Sequence, residues 1–298
     1  MSQLTLRFSE AFEYARAAHE GQVRKGSSIP YLYHLMAVSG LVLEYGGTED
    51  QAIAGLLHDV LEDCGEHHSD EISHRFGAAV LAIVKDCTDG TASEKAAAQT
   101  PDEKRASWWK RKLAYVDHLR KEPDASLLVS GCDKLHNALA ILGDLEDPSV
   151  GPAVFDRFTG GMDGTLRYYA SIAALLDERK APMARRFGEV VDRMHALAGA
   201  PSKLPLDHEV YWLKVYDNFH YMDESETYRI GPYFGASEAL MTAKALVDET
   251  IDAALSEGGS PEDALAQYRA SGEDPMIIGS PQVQFSGWSY AKARCAAT

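Results

Sequence analysis

The stretch Leu56-Leu57-His58-Asp59-Val60-Leu61-Glu62-Asp63-Cys64 sets an imidazole and three carboxylates inside an apolar run. Taken as an α-helix with His58 at the origin, the ~100° step per residue puts Glu62 near ~40°, Asp59 near ~100° and Asp63 near ~140°. Ile53, Leu56, Leu57, Val60 and Leu61 then fall between roughly 160° and 300°, on the other side. One face would be core and the other chemistry. Carboxylates crowded in this way raise one another's pKa unless a cation sits among them. A divalent metal ion is such a cation; a solvated acidic face is the alternative.

Two neighbouring residues do not complete a coordination sphere, so further ligands must come from other elements. His34 in IPYLYHLMAV precedes His58 by 24 residues, enough for an antiparallel helix pair entered through Pro30. Its competing reading is a satisfied core histidine. Asp133 in LLVSGCDKLHNALAIL is an acid within a strongly apolar helix, where an unpaired charge is costly to bury. Its competing reading is an ion pair with Lys134. Two histidines with two aspartates suit Mn²⁺ or Fe²⁺, and the oxygen ligands also admit Mg²⁺ or Co²⁺.

The elements that must position these groups are helical up to about residue 198. Apolar residues return every three or four positions in segments such as AFEYARAAHE, TEDQAIAGLLHDVLED and SLLVSGCDKLHNALAILGDL. Thr48 followed by Gln51 predicts a capping box at the start of the helix leading to His58. Residues 86–103, poor in large apolar side chains, read as a mobile loop. The small residues and prolines of 197–208 read as a linker. Beyond it, the aromatic and β-branched EVYWLKVYDNFHYM and ETYRIGPYF predict a hairpin, followed by helices at about 236–256 and 261–270 and further strand and helix. The expected fold is therefore mainly α: a helical domain over 1–198, then a small α+β domain over 205–298.

The chain has 298 residues, a formal net charge of −16 and no apolar run of bilayer-spanning length. That charge repels polyanions at long range and argues against sequence-independent nucleic-acid binding. Positive charge is concentrated locally, with Lys104, Arg105, Lys110, Arg111, Lys112, Arg120 and Lys121 supplying seven of the 29 Lys and Arg. Four dispersed cysteines without a CxxC argue for reduced thiols. The N-terminus reads as an amphipathic helix and not as a leader, so a cytoplasmic protein is expected, with no membrane partner and a homo-oligomer open.

The order and spacing of GQVRKGSSIPYLYHLMAV, AGLLHDVLED, HRFGAAVLAIVKDCTD and CDKLHNAL resemble the hydrolase domain of RelA/SpoT proteins and the small alarmone hydrolases, over about residues 5–180. The H…HD…D pattern is that of HD-domain metal-dependent phosphohydrolases. The resemblance implies one Mn²⁺ held by His34, His58, Asp59 and Asp133, with Glu62 and Asp63 preparing the attacking water. It implies that Arg24 packs on the purine, Lys25 contacts the nucleotide and Asn137 contacts the sugar. Lys112 or Arg111 from the basic stretch, and Tyr168 or Tyr169, would adjoin the substrate, with core packing the alternative for the tyrosines. The implied reaction removes pyrophosphate from the 3′ position of (p)ppGpp, giving GDP or GTP. Alternatives on the same site are the adenosine analogue (p)ppApp, NADPH or another phosphorylated nucleotide. A nucleotide-sensing module without turnover is a reading of a different class. Chemically, Glu62 would accept the water proton and the planar Arg24 would stack on a base. Cys64 and Leu35 depart from the residues usual at those positions, and no synthetase-domain features follow residue 200.

Overall fold

The structure, a computed structural model, describes residues 3–88, 101–199, 211–220, 223, 227–233, 236–278 and 284–297. The chain divides into two compact units, Met1–Leu206 and Asp207–Thr298. The first is built from helices α1 (Leu6–Ala18), α2 (Leu32–Glu44), α3 (Glu49–Leu57), α4 (Ser69–Phe76), α5 (Ala78–Cys87), α6 (Pro101–Leu119), α7 (Asp124–Glu146), α8 (Gly161–Glu178) and α9 (Ala184–Ala198). The only strand-like pairing among its described residues is an isolated bridge between Val23 and Pro30. The mainly helical expectation is met.

The local signals explain where the site-bearing helices begin. Thr48 accepts from the Gln51 amide while the Gln51 side chain accepts from the Thr48 amide, closing the predicted capping box. Such a cap contributes about 1 kcal/mol to the start of α3. Helix α7 follows Pro123, whose extended backbone delivers the chain into the helix. It is buried along much of its length, from Ser126 through Leu145, so its polar residues must find partners inside the bundle.

Helices α2 and α3 lie against each other with unusual intimacy. A Cβ on Gly55 would stand 3.1 Å from Ser39 Cα and 3.2 Å from Ser39 N. Ser39 Oγ donates to the Ala52 carbonyl at 2.8 Å. Because Ser39 meets Gly55 while His34 meets His58, the two helices run antiparallel, as the 24-residue separation suggested. Ile53, Leu56, Leu57, Val60 and Leu61 are all buried, as the apolar face required.

The continuous helix expected through Glu62 and Asp63 is not what forms. Helix α3 stops at Leu57, Asp59 adopts φ −95° and ψ −3°, and Val60–Cys64 winds as a π-helical turn closed by Gly65 N–H to the Val60 carbonyl. Gly65, at φ +115°, then ends the turn. A π turn carries one residue more per turn than the α-helix and recurs at functional sites. The ~100° phasing therefore holds for the apolar residues of α3 but fails across Asp59.

Other expectations resolve in part. Residues 89–100 of the predicted loop lie outside the described residues, whereas Pro101 already belongs to α6. The second unit pairs β1 (Tyr211–Asp217) antiparallel with both β2 (Thr227–Tyr233) and β3 (Glu273–Ile278), in the order β2-β1-β3. It adds α10 (Ala236–Ser256), α11 (Pro261–Ser271) and α12 (Gly287–Ala296). Leu213, Val215, Ala239 and Ala243 form part of one buried cluster, and Val247, Ile251, Tyr268 and Ala291 part of another. The turn predicted at DESE lies largely outside the described residues. No described helix is long and apolar enough to cross a membrane.

Gly55→Ala should lower unfolding stability by about 1–3 kcal/mol, because backbone atoms of Ser39 cannot swing aside. Urea denaturation measures this; an unchanged midpoint at unchanged slope would show that the helix pair has slack.

Candidate metal centre and nucleotide cavity

Four side chains from three elements converge in the first unit. His34 comes from the first turn of α2, His58 and Asp59 from the end of α3, and Asp133 from the middle of α7. His58 Nε2 lies 3.0 Å from Asp59 Oδ2 and 3.6 Å from Asp133 Oδ1. His34 Nε2 lies 3.1 Å from Asp133 Oδ1 and 3.6 Å from Asp59 Oδ2. His34, His58 and Asp59 present ligand atoms all within 4.8 Å of one another.

The donor chemistry fits a cation. His58 Nδ1 faces the Gly55 carbonyl at 3.0 Å and must donate to it. With a cation bound, the neutral ring would present the lone pair of Nε2 inward, where this buried atom has no hydrogen bond. Burial pulls the His58 pKa down, but the Asp59 and Asp133 carboxylates outweigh it and hold it well above the ordinary value. Burial pushes Asp133 up, yet Lys134 and the two histidines hold its carboxyl well below the usual range. Burial likewise pushes Asp59 up, and His58 brings it below the ordinary carboxylate value. A field that favours a proton on His58 favours any cation at that point, and a divalent ion can bind both imidazoles and both carboxylates at once.

A supporting layer orients these groups. Tyr31 Oη donates to Asp59 Oδ2 at 2.6 Å, and its ring stacks on His19 at 5.2 Å. His34 Nδ1 and His136 Nδ1 lie 2.8 Å apart, so one donates and the other accepts. Burial together with the neighbouring His34 pushes the His136 pKa down to about 4, so His136 is neutral. With His34 bound through Nε2, its Nδ1–H donates to His136, the pattern that fixes a ligand's tautomer. Lys134 Nζ lies 2.6 Å from Asp133 Oδ2, and Asn137 Nδ2 donates to Asp133 Oδ1 at 2.6 Å. The ion pair expected as an alternative for Asp133 thus coexists with its place among the histidines. Tyr31 and His136 were missed by the sequence reading, whereas Lys134 had been named only as an ion-pair partner of Asp133. The one available signal was proximity: Tyr31 is three residues before His34, and His136 is three residues after Asp133 along α7.

Beside the centre lies a cavity of about 630 Å³. Its lining includes Arg24, Lys25, Lys112, Asn137, Tyr168 and Tyr169. Arg24 Nη2 donates to Asn137 Oδ1 at 3.0 Å, which links the proposed base and sugar contacts directly to Asp133. Lys112 Nζ stands 4.8 Å over the Tyr168 ring, and Lys25 Nζ 6.0 Å over Phe158. Among the described residues Lys112 lines the cavity and Arg111 does not. Tyr168 and Tyr169 are both buried and cavity-lining, so the packing and substrate readings do not exclude each other. Glu62 is half-buried in the π turn; Asp63 is exposed and accepts from Gln22 Nε2 at 2.9 Å.

Residues 11–150 match the family described as HD domain. The GTP pyrophosphokinase of Myxococcus xanthus is 31% identical over 129 residues, 43% of this chain and 16% of that protein. The guanosine-3′,5′-bis(diphosphate) 3′-pyrophosphohydrolase of Haemophilus influenzae is 40% identical over 70 residues, 24% of this chain and 10% of that protein. A solved structure reported as a metazoan ortholog of SpoT that hydrolyzes ppGpp is 24% identical, covers 62% of this chain and 98% of that one, and has a TM-score of 0.41. The chain spans only 16% and 10% of the length of the two curated relatives.

Mn²⁺ added to metal-stripped protein should raise Tm, and Asp133→Ala should abolish that shift. His136→Ala should weaken metal affinity by about 10–100-fold through the loss of its bond to His34. Calorimetric titration reads both, and full Mn²⁺ affinity in Asp133→Ala would remove Asp133 from the ligand set.

Proposed function

We propose that this HD domain is a divalent-metal-dependent hydrolase that removes pyrophosphate from the 3′ position of a purine nucleoside polyphosphate, with (p)ppGpp as substrate and Mn²⁺ as the metal. The observation carrying the reading is the convergence of two imidazole Nε2 atoms and two carboxylates beside a cavity lined by Arg24, Lys25, Lys112 and Lys134. The names of the relatives, one of them a 3′-pyrophosphohydrolase of guanosine bis(diphosphate), support the choice of substrate.

His34, His58, Asp59 and Asp133 would hold the metal. When bound, a divalent ion neutralises charge on phosphoryl oxygens and acidifies water. The chain's own groups supply the rest. Lys25, Lys112 and Lys134 offset the phosphate charge, and Asn137 holds the sugar while its carbonyl fixes Arg24. The guanidinium plane of Arg24 packs on the purine. Water oxygen forms a bond to the phosphorus attached at O3′ as the P–O3′ bond breaks. Glu62 takes the water proton, the departing O3′ receives a proton in return from solvent while Glu62 releases its own to solvent, and the products are pyrophosphate and a nucleoside 5′-diphosphate or triphosphate. Asp63 positions the Glu62 turn through Gln22.

Incubation with ppGpp and Mn²⁺ should release pyrophosphate; release of orthophosphate alone, or no turnover, would overturn the reading. Glu62→Gln should retain Mn²⁺ binding and lose about 10²–10⁴-fold in kcat. Full activity in that variant would dismiss Glu62 as the proton acceptor.

A further inference from the structure

The cavity beside the metal centre is built for an anion, yet it contains one carboxylate. Among the described lining residues Asp144 is the sole acid, against Arg24, Lys25, Lys112, Lys134 and Arg157. An acid facing a polyphosphate is repulsive unless a cation pairs with it or donors of the ligand reach it. Its placement shows which part of the ligand that would be.

Helix α7 acts as a ruler along the cavity. With Asp133 at 0°, Asn137, Ala140 and Asp144 fall near ~40°, ~340° and ~20°. They form one ridge, and each residue further advances by ~1.5 Å. Asn137 is thus about 6 Å beyond the metal ligand and Asp144 about 16 Å beyond it along the axis. Between them the wall is formed by Ala140, Ile141 and Gly143, an apolar stretch with little side chain at two of its three positions, suited to a flat ring. Phosphates belong at the Asp133 end, where Lys134 sits, and the sugar at Asn137. Asp144 therefore meets the far edge of the base.

The carboxylate is held for that purpose. Asp144 Oδ2 accepts from Arg157 Nη1 at 2.7 Å, and the two side chains are 36% and 31% exposed. The backbone of Gly26, at φ +77°, lies against the same guanidinium, since a Cβ there would stand 3.1 Å from Arg157 Cδ and Nε. The arginine is thus confined between the Arg24–Ile29 turn and Asp144. Asp144 Oδ1 has no hydrogen bond to any described residue, and each carboxylate oxygen can accept more than one.

Resting on the hydrolase reading above, we propose that Asp144 and Arg157 make the site selective for guanine. Guanine offers two adjacent donors, N1–H and the 2-amino group, which a carboxylate accepts in parallel, as it accepts an arginine fork. Its O6 lies beside them, within reach of Arg157 donors. Adenine offers the 6-amino donor next to the lone pair of N1, so one carboxylate oxygen would face a second acceptor. A site built to receive two donors discriminates against a ligand that lacks one of them.

The test compares the 3′,5′-bis(diphosphates) of guanosine, inosine, adenosine and xanthosine by kcat/KM with Mn²⁺ and by equilibrium calorimetry. Wild-type protein should favour guanosine over inosine and adenosine by on the order of tenfold or more. Xanthosine replaces the 2-amino donor with a carbonyl, which Asn can meet with its amide N–H₂. Asp144→Asn should therefore shift preference from guanosine towards xanthosine, and Asp144→Ala should erase the distinction between guanosine and inosine. Retained Tm in either variant shows that folding is intact. Equal treatment of the four bases by wild-type protein, or unchanged base ratios in the folded variants, would overturn the assignment while leaving the hydrolase reading standing. Absence of turnover with all four would overturn that reading instead, and the base ratios in binding would then decide the role of Asp144 alone.

Discussion

Two carboxylates, one buried and one half-buried, set against two buried imidazoles fix the terms for the rest of the first unit. Asp59 and Asp133 reach His58 and His34 across distances of 3.0–3.6 Å, with Asp133 and both histidines buried and Asp59 only partly open to water. Bringing such charges out of water costs several kcal/mol per ion unless each has compensating partners. The partners account for much of the surrounding sequence. Lys134 and Asn137 satisfy Asp133, Tyr31 satisfies Asp59, the Gly55 carbonyl satisfies His58, and His136 satisfies His34. The bundle must keep three helices close enough to make this arrangement, which is why α2 and α3 meet where Gly55 has no side chain.

The same constraint organises the cavity. Asp133 does not end at the metal centre: its oxygens connect through Asn137 to Arg24. Arg24 belongs to the turn that also carries Lys25 and Gly26, and Gly26 confines Arg157. The residues proposed for metal, sugar and base contacts are thus parts of one polar network rooted in α7.

Sequence pattern made the helical class, the capping box of α3, the apolar face around Leu57 and the antiparallel strands of the second unit legible, because each rests on local spacing. It also brought out His34, His58, Asp59 and Asp133, since an acid or imidazole in an apolar run needs a reason. The winding after Asp59 was not legible. A π turn has no compositional signature, and the α-helical wheel predicted a straight continuation. Tyr31 and His136 escaped for a different reason: an aromatic and an imidazole near named residues look like filler until distances join them to a ligand. Asp144 and Arg157, thirteen residues apart in sequence, become a pair only when α7 and the short 3₁₀ segment Gly151–Arg157 are folded together.

The π turn at Val60–Cys64 also bears on how this region can change over generations. Such a turn is the geometric equivalent of one amino acid added to a helix, so the residues before and after Asp59 are phased in two different frames. Removing one residue would restore regular winding but rotate everything downstream by about a quarter turn. The histidine-aspartate pair could survive that deletion while Glu62 and Asp63 would not keep their bearing. Length in this segment is therefore as tightly constrained as residue identity.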